Sequence, residues 1–375
     1  RNGLKGKGCA KMGRHIQEFT IHAFKGIREL TLGHLNAINI LTGDNNSGKT
    51  SVLELLSTLD NPQNTSTWAL CARTDKLRTR DRLYFNGFYN MFPIDDDEKK
   101  ISYTFADGDG MPNSVTLTAE VEETQLSERE MHRLNGLLRA GSAKQEDEIV
   151  DALCMHLCTD INGEKAVEDT IYDFQTRIRR EVNKKVSFVR AIYVSPIEHA
   201  NSTFSINHIL SEPELYEEML GILQIFDEGI ININALKNDS NPFYTEYMVL
   251  NRNHAKALPL AAYGDGMKKA MLLSSAVVRA RNGLLLLDEF ETAIHTSAMD
   301  SIFSWLLCSA LKLNVQVFLA SHSKEAIEKI MQCSAELQPY INLYTLYNFE
   351  GKNYVRMMGC QEAINAKDNL GLELR

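Results

Sequence analysis

The stretch Gly43-Asp44-Asn45-Asn46-Ser47-Gly48-Lys49-Thr50 constrains this chain more than any other. It follows the apolar run Ala37–Leu41 and precedes Val52-Leu53-Glu54-Leu55-Leu56, whose apolar residues recur at helical spacing. Glycines at both ends of a loop between strand and helix let successive backbone N–H groups turn toward phosphate oxygens. The helix then presents its positive end to the same point. The pattern predicts a phosphate cradle from Gly43, Asn45, Asn46, Ser47, Gly48, Lys49, Thr50 and Ser51, with Lys49 reaching the terminal phosphates and Thr50 a magnesium ion.

A cradle of this kind needs an acidic partner. Leu284-Leu285-Leu286-Leu287-Asp288-Glu289 supplies one: four apolar residues read as a buried parallel strand, and two carboxylates stand at its end. Asp288 is expected to join Thr50 in the magnesium shell, and Glu289 to polarise an attacking water. The two magnesium positions are 238 residues apart in sequence, so a large insertion must split the nucleotide fold.

The remaining chain supports a mixed α/β reading. Short strands are expected over residues 16–32. Residues 62–100 read as loop with short helices, carrying a basic stretch (Lys76, Arg78, Arg80, Arg82) and the acidic run Asp95 to Glu98. A hairpin is expected at Ile101–Phe105 and Ser114–Val121. The polar segment from Glu122 to about Glu168 carries helical periodicity (Leu134, Leu137, Leu138; Ile149, Leu153, His156, Leu157) and reads as a helical insertion. Strands return near Val186–Val194 and Ile230–Leu250 around a helix at Glu212–Phe226. The end alternates helix and strand: a helix opening at Gly264, the strand 284–287, a helix at Ser297–Leu311, the strand Val315–Leu319, then Ser321-His322-Ser323. The expected divisions are a leader at 1–13, half-heads at 14–121 and 251–375, and a mostly helical insertion with connecting strands at 122–250.

Composition narrows the partners. A net charge of −9 means that DNA, if bound, must meet a local basic patch, for which Arg177, Arg179, Arg180, Lys184 and Lys185 are the densest candidates. No window approaches the eighteen or so apolar residues of a membrane helix, so no membrane partner is expected. Seven scattered cysteines argue for free thiols and a cytoplasmic setting. Cys154-x-His156-x-Cys158 would place two thiols one helical turn apart, with His132 as a further donor. No second ligand pair completes a four-ligand zinc site, so these read as ordinary core or surface residues.

The motifs together resemble the OLD-like and RecF-like branch of ABC-type ATPases. The resemblance rests on Phe24-Lys25-Gly26-Ile27-Arg28-Glu29-Leu30, the loop 43–51, Gly264-Asp265-Gly266-Met267-Lys268, Leu287-Asp288-Glu289-Phe290-Glu291 with His295, and Ser321-His322-Ser323-Lys324-Glu325. It implies an ABC-type P-loop ATPase head with a β-rich N-terminal lobe, and ATP with Mg2+ as cofactors. Gly264, Asp265 and Gly266 would form the signature loop that closes over a partner subunit's nucleotide. His322 would be the switch histidine, acting with Glu289 and Lys49, in a homo-oligomer that is at least a dimer.

OLD proteins proper add a TOPRIM nuclease built around an Asp-x-Asp pair. The 52 residues after Ser323 contain none, so the resemblance is to ATPases of bacterial anti-phage defence whose effector nuclease is a separate chain, as in two-gene systems such as PARIS, with a phage protein as trigger. The alternative is a DNA-repair or DNA-maintenance ATPase of the RecF or SMC kind, for which residues 122–168 are too short to form coiled-coil arms. A stand-alone nuclease is disfavoured by the missing metal carboxylates.

Overall fold

The computed structural model describes residues 13–72, 84–94, 96–135, 148–176, 178, 186–196, 206–238, 241–292, 294 and 296–370. Most of the 1–13 leader, the basic residues Lys76, Arg78, Arg80 and Arg82, Asp95, the cluster Arg177, Arg179, Arg180, Lys184 and Lys185, and His295 lie outside the described residues.

Strands β1 (Ile16–Phe24), β2 (Ile27–Leu32) and β3 (Ile38–Gly43) open the chain. They are followed by β4 (Lys99–Asp107), β5 (Pro112–Ser127), β6 (Ile149–Ile161) and β7 (Glu164–Tyr172). Beyond the insertion come β8 (Ala191–Val194), β9 (Ile230–Asn238), β10 (Asn241–Asn251), β11 (Leu258–Pro259), β12 (Leu284–Asp288), β13 (Gln316–Ala320), β14 (Ile341–Phe349) and β15 (Lys352–Gly359). They assemble into an antiparallel lobe of order β2-β1-β4-β5-β6-β7, a small sheet β11-β10-β9, and a central sheet β15-β14-β3-β13-β12-β8. In the central sheet every pairing except β14 with β15 is parallel.

The central sheet is covered on both faces, which explains its uninterrupted apolar strands. Side chains alternate across a strand, so Ile38, Ile40, Leu285, Leu287, Val317, Leu319 and Leu343 join one core. That core is completed by the helices Pro213–Phe226, Asp265–Arg279, Thr296–Lys312 and Lys324–Gln332. Their neighbours Leu41, Leu284, Leu286, Phe318, Ala320, Tyr344 and Leu346 face the other way, into a core shared with the helix Lys49–Ser57 and the antiparallel lobe. The four consecutive leucines are thus divided two and two between the cores. The fold is an α/β head with a β-rich N-terminal lobe.

The helical insertion is corrected. Residues 122–127 continue β5, and residues 149–172 form β6 and β7, in an unbroken antiparallel register from Val115↔Ile161 to Ser127↔Ile149. The described part of the segment contains one short helix, Glu128–Leu134, started by a capping box in which Ser127 and Glu130 satisfy each other's backbone N–H groups. The apparent helical spacing came from Ile149 and Leu153, which are 70% and 37% exposed because β6 runs past the edge of the core that Met155 and Leu157 enter from the same face.

Candidate nucleotide-binding site

The loop between β3 and the helix Lys49–Ser57 is shaped by residues that tolerate left-handed backbone. Gly43 has φ 136°, Asn46 φ 66° and Gly48 φ 101°. A Cβ on Gly43 would lie 2.1 Å from the Leu346 carbonyl oxygen, so only glycine lets β3 end here against β14. A Cβ on Gly48 would lie 2.9 Å from Ile27 Cδ1, at the β1–β2 turn of the lobe. That turn is fixed by the ion pair of Lys25 with Glu54 of the loop helix at 2.7 Å.

Lys49 is buried, and its ammonium donates to the carbonyls of Gly43 and Asp44 at 2.7 Å each and to Ser47 Oγ at 3.3 Å. Burial lowers its pKa, while Asp288, Asp44 and Glu289 pull the other way. Those opposing charges show that the structure brings the phosphate loop and the acidic strand end to one place. The other loop residues differ in exposure: Asp44, Asn45 and Asn46 face solvent, whereas Ser47 and Ser51 are buried.

Asp288, 2% exposed, ends β12 beside the loop. Its carboxyl is pushed above the ordinary range, first by burial and further by the negative charges of Glu289 and Glu54. Hydrogen bonds from Thr50 and Tyr193 oppose that shift. The Tyr193 hydroxyl stands 3.3 Å from Asp288 Oδ2. A hydroxyl and a carboxylate converging here are the hard oxygen donors that Mg2+ takes, and with the glycine-bounded cradle they fit a magnesium nucleotide. Glu289 follows in the left-handed region at φ 48°, its N–H held by the Ala320 carbonyl at 3.0 Å. This half-exposed side chain therefore turns off the strand at a backbone angle that a glutamate pays to adopt.

His322 lies two residues past β13, the strand seated between β3 and β12, and its side chain is exposed. Beside it, Ser321 Oγ donates to Glu291 Oε1 at 2.6 Å and accepts from the Ser323 N–H at 2.9 Å. Gly264 caps the Asp265–Arg279 helix, exposed and with nothing within 4 Å of where its Cβ would stand; Asp265 is exposed and Gly266 half-buried.

Lys269, one turn further along that helix, is a residue that motif reading passes over. It is 3% exposed, and burial pushes its ammonium down to about 7 against the pull of Glu291 and Glu289. The only signal in the sequence was a lysine on the apolar stripe of an amphipathic helix.

Comparison with known proteins gives matches of three kinds: a family, individual relatives and solved structures. The family described as "AAA domain, putative AbiEii toxin, Type IV TA system" matches residues 167–328, which include the acidic strand end and His322 but not the phosphate loop. An "ATP/GTP phosphatase" of Helicobacter pylori is 22% identical over 341 residues, 86% of this chain and 89% of the relative. "Uncharacterized protein MJECL11" of Methanocaldococcus jannaschii is 29% identical over 113 residues, 30% of this chain and 98% of the relative. Among solved structures, an SmcHead bound to the C-winged helix domain of ScpA has a TM-score of 0.46 and 10% identity, covering 93% of this chain and 99% of that one. An SMC head domain from Thermotoga maritima has a TM-score of 0.44 and 11% identity, covering 92% and 99%. At the coarse level the chain is an ATPase of the P-loop class.

Proposed function

We propose that the chain binds and hydrolyses ATP as the switching subunit of a bacterial anti-phage defence system, working as an ABC-type dimer that controls a separate effector. The observation that carries the enzymatic part is the convergence of Lys49, Thr50, Asp288 and Glu289 at the ends of β3 and β12. Backbone N–H groups from Gly43 to Ser51 would cradle the phosphates, with Asn45, Asn46 and Ser47 at the crown. Lys49 would exchange its two carbonyl contacts for the β- and γ-phosphate oxygens. Thr50 and Asp288 would hold Mg2+, which neutralises the developing phosphate charge. Glu289 would orient and deprotonate the attacking water, and His322, just past the strand between, would contact the γ-phosphate. Gly264, Asp265 and Gly266 would complete the site of a second copy.

The cellular role rests on two supports: the match to a family described by a toxin–antitoxin system, and the resemblance of the five motifs to defence ATPases. In this reading ATP bound between heads holds an assembly that restrains a TOPRIM-type nuclease until a phage protein changes its state.

The experiment separates binding from hydrolysis. Lys49→Ala removes the charge at the phosphates and should weaken nucleotide binding by about tenfold or more. Glu289→Gln should bind normally and lose about a hundredfold or more of hydrolysis, because a base contributes on that order. Equal affinity in Lys49→Ala and wild type, by titration with a fluorescent ATP analogue, would reject the cradle. For the cellular part, phage protection should require co-expression of the neighbouring gene together with Lys49 and Glu289.

A further inference from the structure

The β5–β6–β7 ribbon carries a cluster that the ATPase reading does not use. In register, Glu122 of β5 lies directly opposite Cys154 of β6, and His156 follows two residues later on the same face. Opposed side chains start about 5 Å apart and diagonal ones about 7–8 Å, within the reach of a glutamate and an imidazole. Their tips meet: Cys154 Sγ is 3.5 Å from His156 Nε2 and 3.7 Å from Glu122 Oε1, and His156 Nε2 is 2.9 Å from Glu122 Oε1. Cys154 Sγ also lies 3.7 Å from the Glu122 carbonyl oxygen.

We infer that Glu122, Cys154 and His156 form a binding site for a borderline-soft divalent cation of the Zn2+ type, with its fourth coordination position open to solvent. The distances carry the inference. Zinc bonds of about 2.3 Å to sulfur and about 2.0–2.2 Å to nitrogen and oxygen, at tetrahedral angles, separate S from N by about 3.5 Å, S from O by about 3.6 Å and N from O by about 3.4 Å. The first two separations are already present. The third is shorter because a histidine–glutamate hydrogen bond spans it, and an ion entering between the two replaces that bond.

The chemistry agrees with the geometry. One thiol, one imidazole and one carboxylate make a mixed S, N, O set that suits zinc and suits neither Ca2+ nor Mg2+. The other ring nitrogen, Nδ1, is engaged by Thr170 Oγ1 of β7 at 3.0 Å, which fixes the ring with Nε2 toward the other two donors. This is the outer-shell support that histidine ligands need. The buried Cys154 and the exposed Glu122 and His156 give a route in from solvent on one side only. His156 also lines a cavity of about 800 Å³, with Cys158, Glu168, Thr170, Tyr172 and Leu134, so an ion held here would face a space able to admit a small ligand. The closed site with His132 and Cys158 fails because the segment is a strand: Cys158 lies farther along the same face, 3.8 Å from Asp160 Oδ1.

The test uses the full chain, stripped by a chelator and reloaded with Zn2+ or Co2+. Wild type is expected to retain one zinc per chain by elemental analysis. Its Co2+ form should show the intense near-ultraviolet thiolate-to-cobalt band with tetrahedral visible bands, which the sulfur-free phosphate site cannot produce. Cys154→Ser should abolish the charge-transfer band, and His156→Asn and Glu122→Gln should each weaken zinc binding about tenfold or more. Glu122 and His156 are solvent-facing, so their variants should fold normally. Cys158→Ser and Cys333→Ser should leave stoichiometry and spectrum unchanged. Wild type that takes up no zinc, or a cobalt band that survives Cys154→Ser, would overturn the inference.

Discussion

Glu289 and Lys269 are residues whose energetics run against the fold. Glu289 sits at φ 48°, where a non-glycine residue costs about 1–2 kcal/mol. Glu289→Gly should therefore stabilise the chain by about 1 kcal/mol in urea denaturation while abolishing hydrolysis, whereas Glu289→Gln should abolish hydrolysis with no gain. If glycine destabilises, the angle is not strained. Lys269 titrates near 7 when folded and near 10.5 when unfolded. Below pH 7 both states hold the proton, and the cost of burying the charge is fully present. Between pH 7 and 10.5 the unfolded chain binds a proton that the folded chain releases, so stability rises with pH, by up to about 1.4 kcal/mol per pH unit. Lys269→Met should remove this component. Urea titrations at pH 7, 8 and 9 should show a steeper rise for wild type than for the variant.

Between elements, one buried amide ties the parallel sheet to the antiparallel lobe at the start of β1. Gln316 of β13 accepts from the N–H groups of His15 and Ile16 and donates to the carbonyls of Ile16 and Asn36, all at 2.9 Å. Gln316→Leu would take this partner from the N–H groups of His15 and Ile16 and from the Ile16 carbonyl, while the Asn36 carbonyl keeps the Asn39 amide at 2.7 Å; it should cost about 2–4 kcal/mol, read as a lower urea midpoint with an unchanged slope. A loss below about 0.5 kcal/mol would mean that water replaces the amide. The bond spans some three hundred residues, and no window of sequence reveals it. What the sequence did reveal was local: the glycine-bounded loop, the four leucines ending in Asp288-Glu289, and the helices near 212–226 and 297–311. Those signals carry their own period. The ribbon at 122–172 was misread because β6 runs past the edge of the core, where Ile149 and Leu153 stand exposed at a spacing that imitates a helix. The same error hid the Glu122, Cys154 and His156 cluster, since only the strand register places a β5 carboxylate against β6.

At the scale of the whole molecule, the segment Gly264 to Gly266, proposed as a signature loop, stands open in a single copy. Gly264 and Asp265 are exposed at the start of a helix whose remaining length is packed into the core, and no atom lies within 4 Å of a Cβ built on Gly264. A helix start with free backbone N–H groups suits an anion, and a second chain's γ-phosphate supplies one. Each dimer would then hold two composite sites, each drawing Lys49, Asp288 and Glu289 from one chain and Gly264 to Gly266 from the other. Lys49→Ala spoils a site in the chain that carries it, and Gly266→Asp, which sets a second carboxylate at the anion-facing helix start, spoils the site of its partner. Each variant alone should be inactive. In a mixed dimer both lesions fall on one composite site and leave the other intact, so co-purified heterodimers bearing two different tags should regain up to about half of wild-type hydrolysis per dimer. If verified heterodimers stay as inactive as the parents, the signature segment does not act across an interface and the ATPase works within one chain.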